Sequence, residues 1–296
     1  LSNICSHRGA ALADGQLKGD CVECPYHGWR YNGDGHCTTI PSLGDDKKIP
    51  ARARVDSYPT VERYGLIFAF LGDLPEEERP PIMECKEYGQ DGWRLTMFVL
   101  DWEIDYKRSL ENALDPSHNE FVHTTHIDKQ EDNPFQVPDL DLINHDWGTS
   151  FHIEMPAPPM FEEKMADIAD RHESSIFHIY AGYHGISNFW TYIEPTPKFL
   201  RRQHFYETPV EPGKTRIFVM DLRNAMLDPE DDERMLKMDK MVINEDGRVL
   251  WGIRPVLQPT SNIKENFVPT DKHVAHYREK VKEWEARGWR IDQDEL

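Results

Sequence analysis

Residues 5–35 read CSHRGAALADGQLKGDCVECPYHGWRYNGDG, and this stretch decides the fold of the chain. It contains two mixed cysteine–histidine pairs, separated by sixteen residues: Cys5-x-His7 and Cys24-x-x-His27. Two thiolates and two imidazoles in paired loops suit a [2Fe–2S] cluster in which sulfur ligands hold one iron and nitrogen ligands hold the other. A set made only of cysteines would indicate zinc or an ordinary ferredoxin-type cluster.

A zinc site is the alternative interpretation of the same residues. Cys21-x-x-Cys24 has the spacing of a zinc knuckle, and Cys5 with His7 would form the far pair. Zinc ligands usually have about two to four residues between them. Only one residue separates Cys5 from His7, so the sequence favours the iron–sulfur cluster.

A second motif lies about ninety residues downstream, where residues 111–123 read ENALDPSHNEFVH. Two histidines and a distant carboxylate form the facial triad of non-haem Fe(II) oxygenases, which leaves coordination positions open for O2. On an ideal helix, His118 and His123 would point about 140° apart, so we expect a distorted turn between them. Asp115 followed by Pro116 is also a good helix N-cap.

Residues 242–250 read VINEDGRVL and contain the candidate for the carboxylate ligand, Asp246. Asp246 falls on an apolar stripe with Val242, Val249 and Ile253 at spacings of 4, 3 and 4. Burying an unpaired carboxylate is costly, whereas a carboxylate that binds a metal is compensated. A helix break at residues 244–247 would instead leave Asp246 in a solvated turn. Asp239 is the reserve candidate.

Composition excludes several classes of function. The 296 residues include 34 basic and 53 acidic side chains, a net charge of −19, which argues against nucleic-acid binding. No apolar run has the length of a membrane-spanning helix. The absence of glycine-rich dinucleotide and Walker motifs predicts no nicotinamide or flavin site. Few cysteines fit a reducing cytoplasm. A targeting segment upstream of Leu1 would not be seen in this sequence, and opening strands are expected there.

The order of predicted elements indicates an α+β chain with two domains, 1–81 and 82–296. Short strands fill the first, and the apolar run at 64–71 is expected to close the cluster-binding sheet. The charged, proline-rich residues 72–81 mark the boundary. The second has a helix at about 106–114, strands from 174 to 223, a helix that begins at Asp228-Pro229 and a charged helix at about 271–287.

Together these motifs resemble the oxygenase (alpha) component of Rieske non-haem iron oxygenases. The similarity is to the phthalate and vanillate-demethylase type and to the pheophorbide oxygenases, although the C-terminal Cys-x-x-Cys of the latter is missing. The resemblance implies an all-β Rieske [2Fe–2S] domain, then an α+β catalytic domain whose antiparallel sheet is joined by helices that carry the iron ligands. It implies that Asn112 lies near the iron and that Asp115 hydrogen-bonds His118 and meets His27 across a subunit boundary. It implies these ligands: Cys5, His7, Cys24 and His27 for the cluster, and His118, His123 and Asp246 for Fe(II).

The resemblance also implies an activity. Such a chain uses O2 and electrons from a separate ferredoxin or flavin reductase, the only component that takes NAD(P)H. It hydroxylates or oxidatively demethylates a small aromatic or cyclic substrate, as a monooxygenase or dioxygenase, in a head-to-tail homotrimer. The alternatives are a Rieske electron-transfer or redox-sensing protein and a zinc-stabilised binding protein without catalysis. Candidate pocket residues are the stretch 189–192 with Met155, Met160, Phe161 and Phe177, although such clusters are more often plain core.

Overall fold

The computed structural model describes residues 1–44, 46–72, 74–124, 135–156, 176–196, 198–259 and 261–289. The chain divides into two compact units, Leu1–Arg79 with Gly288–Leu296, and Pro80–Arg287. The sequence places Gly288 and Trp289 in the second predicted domain, whereas the structure groups them with the first unit. There Trp289 pairs its backbone with Gly72, and its ring meets the edge of Phe70 at 5.7 Å. The boundary between residues 81 and 82 stays a prediction.

The first unit is built from short antiparallel strands. Four of them form one sheet in chain order: β1 (Gln16–Lys18), β2 (Cys21–Glu23), β3 (Arg30–Tyr31) and β4 (Cys37–Thr39). The run expected to close this sheet does not join it, because β6 (Leu66–Ala69) pairs with β5 (Thr60–Arg63) in a separate two-stranded sheet. The core of the unit is small and includes two of the predicted ligands, Cys5 and Cys24.

The second unit contains one large antiparallel sheet. Within the described residues its order is β7-β13-β12-β11-β10-β9-β8. The strands are β7 (Arg94–Trp102), β8 (Ile143–His145), β9 (Gly148–Pro156), β10 (Ile176–His184), β11 (Asn188–Thr196), β12 (Phe199–Glu211) and β13 (Lys214–Arg223). Because side chains alternate along a strand, one face of the sheet meets the helices and the other faces outward. The α+β expectation with an antiparallel sheet is confirmed.

Four α-helices accompany this sheet within the described residues: α1 (Tyr106–Leu114), α2 (Asn119–Val122), α3 (Pro229–Leu250) and α4 (Lys272–Ala286). The Asp105 side chain caps α1 by accepting the Lys107 N–H at 3.2 Å. Helix α3 begins with proline after Asp228, as predicted, and buries Ile243 and Leu250 against the sheet. It runs unbroken through residues 244–247, so the alternative of a solvated turn there is wrong. No helix in the described part is long and apolar enough to cross a membrane.

Candidate metal centres

The two cysteine–histidine loops of the first unit have the same backbone construction. The Gly9 N–H donates to the Cys5 carbonyl at 2.8 Å, and the Gly28 N–H donates to the Cys24 carbonyl at 3.1 Å. Both glycines have positive φ, 73° and 67°, a conformation that other residues rarely adopt. Each loop therefore turns back directly after its ligand pair, and this explains the glycine that follows each pair in the sequence.

The four side chains of these loops form a cluster with a buried side and an exposed side. Cys5 and Cys24 are each only 2% exposed and belong to the same core cluster. His7 and His27 are exposed, with ring centroids 4.5 Å apart, and His7 also stacks on Trp29. Two inner sulfurs and two outer imidazoles match the donor set of a [2Fe–2S] cluster with mixed ligands.

The surroundings of Cys5 favour its thiolate form. Burial raises the pKa of the Cys5 thiol, but hydrogen bonds outweigh burial and the net pKa is lowered. These bonds come from the Tyr31 hydroxyl, which lies 3.2 Å from Sγ, from the backbone at His7 and Arg8, and from Cys24. A thiolate is the form that binds a metal. Cys21, the zinc-knuckle alternative, lies on β2 with its Sγ 3.5 Å from the Thr38 hydroxyl.

In the second unit, the structure brings together His118, His123 and Asp246. Asp246 Oδ1 lies 3.3 Å from His118 Nε2 and 3.5 Å from His123 Nε2. Two ligands at about 2.1 Å from one ion, roughly 100° apart, would lie about 3.2 Å from each other. The three donor atoms therefore have the separations that a shared metal ion requires, and their types suit non-haem iron.

The distorted turn predicted between the two histidines is present. A 3₁₀ turn at Pro116–His118 leads directly into α2, and His123 ends that helix. The change of helical pitch rotates both imidazoles toward the same point. Asp115 caps this segment, since its Oδ1 accepts the Ser117 N–H at 2.8 Å. The expected contact between Asp115 and His118 is made by the Asp115 backbone carbonyl, which hydrogen-bonds His118 Nδ1.

Further contacts orient the three candidate ligands. Glu245 Oε2 lies 3.1 Å from His123 Nδ1, and the Asn112 side-chain amide donates to Asp246 Oδ1 at 3.0 Å. Each histidine thus uses Nδ1 outside the triad and directs Nε2 toward Asp246, the arrangement typical of metal-ligating histidines. The family resemblance predicts Asn112 near this site. It does not predict Glu245, for which the adjacent Glu-Asp pair in the sequence was the available signal.

The two histidines differ in charge preference. Burial lowers the pKa of His118, but the neighbouring carboxylates of Asp246 and Asp115 outweigh burial and raise it overall. For His123, burial has the larger effect and the pKa is lowered, although Asp246 opposes this. The reserve candidate Asp239 is engaged elsewhere, because its Oδ1 accepts from the Arg201 guanidinium at 2.7 Å.

A cavity of about 270 Å³ opens beside the triad. One side of the cavity is the inner face of the sheet. The residues that β9, β10 and β11 contribute to it are mainly apolar: Phe151, Ile153, Met155, Phe177, Ile179, Ala181, Phe189, Thr191 and Ile193. Trp190 and Tyr192 are not among the lining residues, because alternation along β11 turns them to the other face. Met160 and Phe161 lie outside the described residues.

The β12 side of the cavity is mainly polar. Arg201, Gln203 and Glu207 line the cavity from alternate positions of this strand, with Phe205 between the last two, and Ser109 of α1 lies beside them. The Ser109 hydroxyl donates to Glu207 Oε1 at 2.7 Å. Burial raises the pKa of Glu207 to about 8, so this side chain is mostly neutral at neutral pH. The cavity therefore suits a molecule with a large apolar part and a smaller polar part.

Comparison with known proteins matches both units. Residues 1–59 match the family described as Rieske [2Fe–2S] domain. Residues 102–287, well over half of the chain, match the family described as vanillate O-demethylase oxygenase C-terminal domain.

Curated relatives share moderate identity. The iron–sulfur subunit of the toluene-4-sulfonate monooxygenase system of Comamonas testosteroni is 35% identical over 125 residues, which cover 42% of this chain and 35% of that protein. Methylxanthine N1-demethylase NdmA of Pseudomonas putida is 33% identical over 148 residues, which cover 49% of this chain and 40% of that protein. The chain therefore spans well under two thirds of the length of these relatives.

Solved structures share the fold. NdmA of Pseudomonas putida with caffeine aligns at a TM-score of 0.74 and 23% identity, covering 95% of this chain and 76% of that one. Dicamba monooxygenase bound to 3,6-dichlorosalicylic acid aligns at a TM-score of 0.75 and 23% identity, covering 96% of this chain and 86% of that one. These similarities confirm the fold class predicted from the sequence.

Proposed function

Because the chain belongs to the Rieske oxygenases with a vanillate O-demethylase C-terminal domain, we propose that it is the oxygenase component of a multicomponent enzyme. It uses O2 and electrons from a separate reductase to hydroxylate or oxidatively demethylate a small aromatic or cyclic substrate. The observation that carries this proposal is the convergence of His118, His123 and Asp246 beside a mainly apolar cavity.

In this proposal His118, His123 and Asp246 hold Fe(II) as a facial triad. When bound, ferrous iron with open coordination positions supplies the activation of O2. The chain keeps the three donors in place through the Asp115 carbonyl, Glu245 and Asn112. Burial lowers the pKa of His123 and so favours its neutral form, in which Nε2 keeps the lone pair that a metal ligand needs.

The first unit has the role of the electron carrier. Cys5, Cys24, His7 and His27 hold a Rieske [2Fe–2S] cluster, which supplies single electrons when bound. The exposed imidazoles of His7 and His27 give the nitrogen side of the site access to a redox partner. The partners are a ferredoxin, a flavin reductase or both, and only the reductase draws on NAD(P)H. The name of the toluene-4-sulfonate relative, a monooxygenase system subunit, supports a multicomponent arrangement.

The substrate class follows from the cavity. Its volume of about 270 Å³ suits a molecule of one to a few rings, and the aromatic and aliphatic side chains of β9 to β11 exclude water from it. The two curated relatives described above are named for methylxanthine and toluene-4-sulfonate, both of them cyclic compounds. The polar β12 side would hydrogen-bond a heteroatom and so orient the ring toward the triad.

The proposed assembly is a head-to-tail homotrimer, in which the cluster of one copy serves the iron of a neighbouring copy. A heterologous interface of this kind closes into a ring. His27 is exposed, and the Asp115 carboxylate is half-buried with one oxygen used for the cap. Its second oxygen can then bridge to the His27 of a neighbouring copy. A monomer that turned over substrate at the full rate would contradict the proposed trimer.

Electron paramagnetic resonance of the dithionite-reduced full-length protein tests the cluster. We expect a rhombic Rieske signal with a low average g value. A colourless protein that contains zinc and no iron would refute the oxygenase proposal in favour of a zinc-stabilised binding protein.

The variant Asp246→Ala tests the iron site. We expect it to lose the mononuclear iron and substrate-dependent O2 uptake, and to keep the Rieske signal. The matched control is Glu233→Ala, an exposed acidic residue on the same helix, which should keep both metals. If Asp246→Ala consumed O2 with substrate at the wild-type rate, Asp246 would not be the third ligand. If His118→Ala kept full physiological function, the electron-transfer alternative would be favoured.

A further inference from the structure

A second group of metal-ligating side chains lies on the sheet of the second unit, away from the cavity. His152 and Glu154 belong to β9, and His178 belongs to β10. The strand register pairs His178 with Glu154 and Tyr180 with His152. Residues that are two apart or directly paired share one face of a sheet. Their sequence neighbours, such as Ile153 and Phe177, line the cavity, so the group occupies the opposite, outer face.

The donor atoms of this group converge. His178 Nδ1 lies 3.2 Å from His152 Nε2 and 3.6 Å from Glu154 Oε1, and all three donor atoms lie within 4.8 Å of one another. These separations resemble those of the triad, 3.3 and 3.5 Å. Tyr180 stacks on the His152 ring at 4.5 Å and helps to fix its orientation.

Hydrogen bonds alone satisfy this arrangement poorly. Both short contacts involve the same atom, His178 Nδ1. If that nitrogen carries the proton, it divides one N–H between Glu154 and His152. If His152 donates instead, the Glu154 carboxylate faces a nitrogen lone pair. A single cation at the centre would accept a lone pair from each of the three donor atoms and would remove this conflict.

We propose that His152, Glu154 and His178 form a further, solvent-exposed binding site for one divalent first-row transition-metal ion. Two imidazole nitrogens and a carboxylate oxygen suit Zn²⁺, Ni²⁺ or Cu²⁺. Water completes the coordination, because the His178 and Glu154 side chains are 44% and 55% exposed. Glu194, which pairs with His178 from the β11 side, is held by Arg202 at 3.0 Å and is not a fourth ligand.

The position of the site gives it a structural role. Glu154 lies two residues before the end of β9, and His178 lies two residues after the start of β10. A bound ion would therefore join the C-terminal end of β9 to the N-terminal end of β10. The inner faces of these same strands form the apolar wall of the cavity. Because only the folded chain presents all three ligands, the ion would also raise the unfolding temperature.

The test is a Cu²⁺ titration of the oxidised holoenzyme with its iron sites filled, followed by electron paramagnetic resonance. We expect one tightly bound Cu²⁺ per chain, with hyperfine coupling to two imidazole nitrogens and no loss of iron. Loss of an outer-sphere partner already weakens metal sites about 10–100-fold. Replacing a direct ligand, in His152→Ala or His178→Ala, should therefore weaken Cu²⁺ binding by more than about tenfold, and Glu154→Gln, which keeps the shape of the side chain, should also weaken it.

The matched control is His36→Ala, which removes an exposed imidazole of the first unit and should leave Cu²⁺ binding unchanged. Equal Cu²⁺ affinity in the wild type and in the double variant His152→Ala/His178→Ala would overturn the proposal. Copper that binds only as iron is released would overturn it as well. The readout is binding and not turnover, so the result does not depend on the oxygenase function.

Discussion

Replacing Glu245 should weaken iron binding without altering the three proposed ligands. The Glu245 side chain is only 2% exposed, and its Oε2 lies 3.1 Å from His123 Nδ1. The contact holds the His123 ring in the orientation that directs Nε2 toward Asp246. It also adds negative charge behind the imidazole, which makes Nε2 a stronger donor.

The magnitude follows from this geometry. Loss of such an outer partner costs about 10–100-fold in metal affinity, or about 1.4 to 2.7 kcal/mol. Glu245→Gln keeps the shape and one acceptor oxygen but loses the charge, and charged hydrogen bonds are roughly twice as strong as neutral ones. We therefore expect about tenfold weaker iron binding for Glu245→Gln and nearly a hundredfold for Glu245→Ala.

The assay is competition for ferrous iron between the protein and a chelator of known affinity. The control variant is Glu233→Gln, an exposed residue on the same helix, which should bind iron like the wild type. The Rieske signal serves as an internal reference, since the cluster ligands lie in the first unit. Iron affinity within about twofold of the wild type in Glu245→Ala would refute the reasoning, because outer partners normally matter more than that.

Three further predictions concern side chains around the cavity and the turn. Asp115→Ala should lose the helix cap and lower the free energy of unfolding by about 1 kcal/mol, whereas Asp115→Asn should keep the cap. Both variants should slow electron transfer to the iron, because both lose the carboxylate. Glu207 has its pKa raised by burial from about 4.5 to about 8. Between these pH values Glu207 is protonated in the folded chain and ionised in the unfolded chain, so the free energy of unfolding falls as pH rises. Glu207→Gln should make this fall smaller when the free energy of unfolding is measured in urea at several pH values. Arg201→Met should cost about 3–5 kcal/mol in the same assay, because Asp221 and Asp239 would remain buried without their cation.

Each of these predictions has a contrary result. Equal unfolding free energies for Asp115→Ala and the wild type would show that the cap contributes little. An unchanged pH slope in Glu207→Gln would mean that Glu207 is ionised in the folded chain. A stable Arg201→Met variant would mean that the two carboxylates share a proton or reach water.

The sequence determined those features that depend on short stretches of backbone. The mixed pairs of residues 5–27 indicated a cluster with sulfur and nitrogen ligands, and the helix at Tyr106–Leu114 was predicted with the bounds that the structure has. The five-residue spacing of His118 and His123 required a distorted turn, and a 3₁₀ turn is present. Ligand spacing, helical period and capping act over a few residues, so they can be inferred from local patterns.

Only the tertiary structure decided which distant side chains meet. Asn112 and Asp246 are 134 positions apart, and their hydrogen bond depends on how α1 and α3 are rotated against each other. The packing of α3 against other elements likewise brings Glu245 to His123, at the end of α2, and Asp239 to Arg201 of β12. Strand register likewise sets His178 beside Glu154 on the outer face. Such contacts arise from packing and register between elements, which no local pattern specifies, because shifting a strand by one residue turns every side chain to the other face.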